Sequence, residues 1–196
     1  AAGATVLRHP GNQGKGAALQ TAFAWALARG VQGVVTLDAD GQHDPAEIPA
    51  LLAAHRASPD ALVVGVRNFD EMPRRSLTGN RISTWWISRF ARRLHRDTQS
   101  GFRVYPRALL DGARYRTSRF DTETEQLLRA AKLGVPLVEV PVRTIYPPEG
   151  TPTHFHDFHD AMRILKLVIG SPLWRMGVER ARVEASRAQT KARAAE

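Results

Sequence analysis

Hydrophobic and polar positions follow two rhythms along this chain. Residues 34–37, 61–66 and 137–142 are short apolar runs rich in β-branched side chains, the pattern of strands buried in a sheet. Residues 5–7 read as a further strand. Residues 102–105 read as another, because Phe102 and Val104 alternate with Arg103 and Tyr105. Between these runs apolar residues recur at helical spacing. One face of 17–28 carries Leu19, Ala22, Phe23, Ala26 and Leu27, and one face of 45–57 carries Ile48, Leu51, Leu52 and His55. Helices are also expected over 76–95, 107–113, 120–133 and 158–169. Asp44 followed by Pro45 is a helix start, the acid capping free N–H groups and the proline fitting the first turn. Gly30 and Gly134 are helix ends, and Pro141 places the last strand at a sheet edge. Strands alternating with helices predict an α/β fold with a mainly parallel sheet flanked by helices.

The strand at 34–37 runs directly into Asp38-Ala39-Asp40-Gly41-Gln42-His43-Asp44-Pro45. Asp38 and Asp40 thus sit at the carboxyl end of a strand before a crossover helix, the edge where open α/β sheets bind ligands. Two neighbouring anions repel unless a cation lies between them. Hard divalent ions favour a few carboxylates together with phosphate oxygens. A metal–diphosphate site therefore competes with a capped turn whose acids face water. Arg67 ends the strand at 61–66 and arrives at the same edge. The loop from Gly11 to Gly16 places Lys15 before a helix N-terminus, as phosphate-binding loops do. It departs from the nucleoside-triphosphatase pattern, because Gly16 follows Lys15 where a serine or threonine is required. Asp121 and Glu123 open a helix, where acids suit the helix dipole. His154, His156 and His159 are interleaved with aromatics, which favours packing over metal binding.

A chain of 196 residues is long enough for one domain with a substantial core. It has no cysteine, hence no disulfide framework and no thiolate chemistry. The net charge of +9 points to an anionic partner: nucleic acid, an acidic membrane surface or a phosphorylated substrate. Much of it lies on one side of the 76–95 helix, with Arg81, Arg89, Arg92, Arg93 and Arg96, and beyond Arg175. There the sequence is rich in Ala, Arg and Glu, a solvated helix or a disordered tail. The apolar helix at 158–169 packs on the core or lies in a membrane interface. No uninterrupted apolar run is long enough to span a bilayer. The expected division is a core over 1–150, the apolar helix over 151–174 and the basic tail over 175–196.

Taken in order, several motifs resemble glycosyltransferase family 2, the inverting, nucleotide-sugar-dependent enzymes of the GT-A fold. They are Asn12-x-Gly14-Lys15-Gly16, Asp38-Ala39-Asp40-Gly41-Gln42, Gly65-x-Arg67, Asp97-x-x-Ser100-Gly101-Phe102-Arg103-x-Tyr105, Phe120-Asp121-Thr122-Glu123, Glu139-Val140-Pro141-Val142 and Tyr146-x-x-Glu149-Gly150. The nearest flavour is the dolichyl- or polyprenyl-phosphate sugar synthases. The resemblance implies that Asp38 and Asp40 hold Mg²⁺ or Mn²⁺ on the donor diphosphate, with Gln42 joining them. It implies donor binding by Asn12, Lys15 and Arg67 and acceptor binding by Ser100, Arg103 and Arg81. Glu123 is the implied general base, with Asp121 beside it and Asp40 counted with the catalytic groups.

The implied partners are a nucleotide-sugar donor and a lipid-phosphate or glycan acceptor, with no specific nucleic acid. The implied place is the cytoplasm or the inner face of the plasma membrane. A nucleotidyltransferase and a non-catalytic basic nucleic-acid binder are the rival readings. The family's first strands, which bind base and ribose, have no counterpart before Ala1. The expectation is accordingly an N-terminally truncated GT-A core with an exposed apolar edge and weak or absent activity.

Overall fold

A computed structural model describes residues 3–68, 84–85, 87–89, 96–112, 115–119, 121–145 and 157–194, with only the backbone given for 157–161 and 193–194. The helices are α1 (Lys15–Leu27), α2 (Ile48–Ala57), α3 (Arg107–Gly112), α4 (Thr122–Lys132), α5 (Asp157–Gly170) and α6 (Gly177–Ala194). The strands are β1 (Gly33–Thr36), β2 (Leu62–Arg67), β3 (Arg103–Pro106) and β4 (Leu137–Val142). They form one sheet in the order β1–β3–β2–β4. β1, β2 and β4 run the same way. β3 enters between β1 and β2 in the opposite direction, so only β2 and β4 pair in parallel and the sheet is mixed. β4 is the outer strand on its side, where Pro141 removes no hydrogen bond from an inner ladder.

The alternation read in the sequence sorts side chains to the two faces. Leu62, Val64 and Tyr105 meet Phe23 of α1, Leu109 of α3 and Leu127 of α4. Val63, Phe102 and Val104 meet Leu51 of α2 on the other face. The result is three layers, helix on sheet on helix. Asp44 Oδ1 accepts the Ala46 N–H at 2.9 Å and Pro45 follows it, as expected of a helix start, although the first turn at Pro45–Glu47 is a 3₁₀ turn.

One expectation needs correction and another is narrowed. Residues 5–7 are no strand: among the described residues none pairs with them, and Val6 stays 68% exposed. A β-branched run becomes a strand only when another supplies its hydrogen bonds. Of the two alternatives for the segment after Arg175 the helix is the one formed, as α6, and one side of it docks on the core. Its Val183 is fully buried against Gly112 of α3, and Glu179 reaches Arg129 of α4 at 2.6 Å. Sparse apolar content suffices because the single stripe holding Met176 and Val183 is the one that docks. Of the helix expected at 76–95, residues 84–85 and 87–89 are helical, and Ile87 packs with Leu128, Ile164 and Val168.

Candidate active site

One edge of the sheet collects the chemistry. The carboxyl ends of β1, β2 and β4, the start of β3 and the N-termini of α1 and α4 meet there. β1 delivers Asp38 and Asp40 in the turn that follows it. Asp38 is half-buried and Asp40 is exposed. The turn is internally braced. Asp40 Oδ1 accepts the Gln42 N–H at 3.0 Å, and the Gln42 carbonyl accepts the Ile145 N–H at 2.9 Å.

His43 was not singled out in the sequence, yet it sets the geometry of this turn. Its ring is buried, stacks on Phe102 with centroids 5.1 Å apart, and its Nδ1 accepts the Asp38 N–H at 2.8 Å. That bond requires an unprotonated Nδ1. Burial holds the imidazole below its ordinary pKa, outweighing the pull of Asp38 and Asp40. The available signal was positional: His43 is the one ring in a loop that must satisfy its own backbone before Pro45.

The glycine–lysine loop is shaped by close backbone contacts. Gly14 has φ +91°, a conformation that L side chains rarely adopt, and a Cβ there would overlap the Ser118 carbonyl. A Cβ on Gly16 would overlap Thr122 Oγ1, and the Gly16 N–H donates to Ser118 O at 2.8 Å. The glycines thus press the start of α1 onto the segment leading into α4. Lys15, between them, is brought to two carboxylates. Its Nζ lies 2.6 Å from Asp38 Oδ1 and 2.5 Å from Glu123 Oε1. Burial pulls the ammonium down, but the Glu123 and Asp38 charges together outweigh it and hold its pKa above the ordinary value. Glu123 is 3% exposed. Its contact with Lys15 is one of charge without hydrogen-bond alignment, and Oε2 has no donor among the described residues. Asp121, half-buried at the N-cap of α4, has its carboxyl pKa raised by burial, and its Oδ1 has no partner among the described residues.

The expected donor and acceptor residues separate into groups. Asn12 is exposed and its Oδ1 accepts the Gly14 N–H at 2.9 Å, which shapes the loop. Asn12 and Lys15 share an open pocket of about 530 Å³ with Thr5, His9 and Ala18. Arg67 reaches the site edge but grips buried Asp97 through two bonds, Nε to Oδ2 at 2.6 Å and Nη2 to Oδ1 at 3.0 Å. Asp97 also accepts the Gln99 and Ser100 N–H groups, so this pair builds the loop before β3.

Ser100 and Arg103 do not face an open surface. Ser100 is buried, with Oγ accepting the Phe102 N–H at 3.3 Å. Arg103 is fully buried and donates to the Ser100, Thr98 and Glu123 carbonyls and to Gln126 Oε1. The charge read as an acceptor contact instead fixes the backbone under Glu123. Arg81 and the Tyr146-x-x-Glu149-Gly150 motif lie outside the described residues, as do His154 and His156; of His159 only the backbone is described.

Residues 2–111 match the family described as "Glycosyl transferase family 2", and the chain belongs to that family. The match opens at residue 2 and does not confirm the expected loss of N-terminal strands. The chain is 31% identical over 147 residues to a UDP-N-acetylglucosamine–dolichyl-phosphate N-acetylglucosaminyltransferase of Methanococcus voltae, covering 71% of this chain and 59% of that protein. It is 32% identical over 153 residues to a polyprenol monophosphomannose synthase of Mycolicibacterium smegmatis, covering 70% and 54%. The chain thus spans under two thirds of the length of these relatives. A crystal structure of glucosyl-3-phosphoglycerate synthase from Mycobacterium tuberculosis, in complex with Mn²⁺, uridine diphosphate and phosphoglyceric acid, superposes with a TM-score of 0.58. It has 19% identity, and the match covers 87% of this chain and 56% of that one. The fold is α/β of the GT-A type.

Proposed function

We propose that this chain is the catalytic core of an inverting glycosyltransferase that moves a sugar from a nucleoside-diphosphate donor to a lipid-phosphate acceptor. The observation that carries the reading is the meeting of Asp38, Asp40, Lys15 and Glu123 at one sheet edge in a chain of this family. Among the described residues no three acids or histidines gather to cage a metal alone. Two carboxylates two residues apart instead fit a hard ion that keeps water and takes phosphate oxygens. Asp38 and Asp40 would hold Mg²⁺ or Mn²⁺, with Gln42 beside them. When bound, such an ion neutralises charge that grows on the leaving diphosphate. Lys15 adds a positive charge on the same side, and the Arg67–Asp97 pair keeps the neighbouring loop in place. Inversion is a single in-line displacement with no covalent enzyme intermediate. With a hydroxyl acceptor, the unpaired Oε2 of Glu123 is the group to take its proton. A lipid phosphate is already anionic, and Glu123 then serves chiefly to hold Lys15.

The lipid acceptor is supported by the similarity to dolichyl- and polyprenyl-phosphate enzymes and by the corner between α5 and α6. Residues 161–178 contain Arg163, Lys166 and Arg175 and no acid. Met162, Ile169, Leu173 and Val178 are exposed there, Leu173 at 84% and Val178 at 70%. An apolar ridge with a basic margin suits the surface of an anionic bilayer. No helix among the described residues is long and apolar enough to cross a membrane. Sedimentation with phosphatidylglycerol-containing vesicles, and not with pure phosphatidylcholine vesicles, is expected, and Leu173→Asp should abolish it.

The reaction is tested by following nucleoside diphosphate release from a panel of nucleotide sugars with Mn²⁺, with and without polyprenyl phosphate. Asp40→Ala should lower release on the order of a hundredfold or more. Pyrophosphate as the product would mean nucleotidyl transfer instead. Silence with every donor, together with salt-sensitive binding to random DNA, would move the protein to the nucleic-acid-binding class.

A further inference from the structure

The Lys15 ammonium bridges two carboxylates. It touches one oxygen of Asp38 and one of Glu123, at 2.6 and 2.5 Å, and both carboxylates lie at least two-thirds buried. These acids come from different halves of the site: Asp38 from the metal side after β1, Glu123 from the first turn of α4. The position of the ammonium is enforced from three directions. Gly14 and Gly16 seat α1 against Ser118 and Thr122, as described above. Gly101 closes the third side, because a Cβ there would stand 2.6 Å from Asp38 Oδ2 and 2.9 Å from Lys15 Nζ. Thr36 Oγ1 donates to the Gly101 carbonyl at 2.8 Å and holds that loop against the end of β1. A lysine on a mobile surface loop would be a solvated charge; this one is about three-quarters buried and held between its two partners.

We propose that Lys15 is a positioning residue that competes with the divalent metal for Asp38 and couples metal binding to the state of Glu123. The inference rests on the metal–diphosphate reading above. One ammonium cannot fully compensate two carboxylates and leave room for a dication on one of them. A metal taking Asp38 displaces the lysine charge toward Glu123 and the donor phosphates. Glu123, which shares the ammonium with Asp38 in the resting site, then has it alone. By linkage, whatever strengthens the hold of Glu123 on Lys15 favours the metal, and whatever weakens it disfavours the metal. This role differs from simple attraction of phosphate: it predicts that a lysine next to the donor site weakens metal binding when no nucleotide is present.

The experiment measures Mn²⁺ affinity of the full chain without nucleotide, from the loss of the free-ion electron paramagnetic resonance signal. Lys15→Met should tighten Mn²⁺ binding by roughly three- to tenfold, the scale expected when a like charge leaves a partly buried site. Lys15→Arg should restore affinity toward the starting value. Glu123→Gln should act in the opposite direction and weaken Mn²⁺, since the ammonium then belongs to Asp38 alone. Asp38→Asn should abolish binding in both the parent and the Lys15→Met chain. Affinity unchanged or weakened in Lys15→Met, with binding still lost in Asp38→Asn, would overturn the coupling and leave the metal site standing. Absence of Mn²⁺ binding in every variant would overturn the metal reading itself and the coupling with it. A merely structural lysine would not give a tighter metal site when removed, and circular dichroism of Lys15→Met identifies any loss of fold.

Discussion

Glu123 and Glu125 lie two residues apart on α4, both buried, in two regions of opposite character. Glu125 faces the interior. Its oxygens accept from the Arg116 and Thr117 N–H groups, from Thr117 Oγ1 at 2.7 Å and from Arg129 Nε at 2.7 Å. Arg129 in turn meets Glu179 and lies over the Trp174 ring. Glu123 faces the sheet edge, with one oxygen against Lys15 and the other without a donor among the described residues. Burying a carboxylate costs several kcal/mol unless hydrogen bonds and charge compensate it. The interior meets that requirement; the edge leaves it half met. Two acids of equal burial therefore differ in purpose. One is tied into the fold on every side, and the other keeps one oxygen without a donor among the described residues.

The largest effect that would sharpen this contrast is on stability. Glu125→Gln should lower the unfolding free energy by about 3 kcal/mol, as breaking a buried ion pair does. Glu123→Gln should change it by less than about 1 kcal/mol, because the neutral amide removes a poorly compensated charge. Urea titration of both variants decides the matter. Equal losses would mean that Glu123 is as structural as Glu125.

The layers of the fold were legible because they follow from period and punctuation. The apolar runs at 61–66 and 137–142 became β2 and β4 almost residue for residue, and Asp44-Pro45 opened the helix it announced. Periodicity is silent on pairing, so the reversed β3 and the unpaired residues 5–7 had to come from the structure. The site was legible as a set of residue types. Asp38 and Asp40 were placed by the end of their strand, whereas Arg103 and Ser100 were placed by motif alone. Their burial is a tertiary fact: a guanidinium met by three carbonyls and an amide oxygen looks the same in sequence as one waiting for a phosphate. The purpose of Gly14 and Gly16 was hidden for the same reason. Ser118 and Thr122, against which they press, lie about a hundred residues away along the chain.

The smallest effect concerns His43, which belongs to the interior by burial and to the edge by what it holds. Folded His43 resists protonation, because burial lowers its pKa and its Nδ1 is occupied by the Asp38 N–H. In the unfolded chain it takes up a proton near the ordinary value of about 6.5. A group with a depressed folded pKa of this basic type leaves stability untouched above about pH 6.5. It removes stability as pH falls below that value, until the folded ring also protonates. His55, likewise held low by burial, adds a slope of the same sign. Urea titrations on either side of about pH 6.5 should therefore show the parent chain losing stability on acidification. The His43→Gln chain should lose less, keeping the share of His55. Mn²⁺ binding should weaken in His43→Gln even at the higher pH, because glutamine does not reproduce the flat ring on Phe102 that fixes the Asp38 amide. A slope identical in both chains, with Mn²⁺ affinity unchanged, would detach His43 from the edge and leave it as core packing.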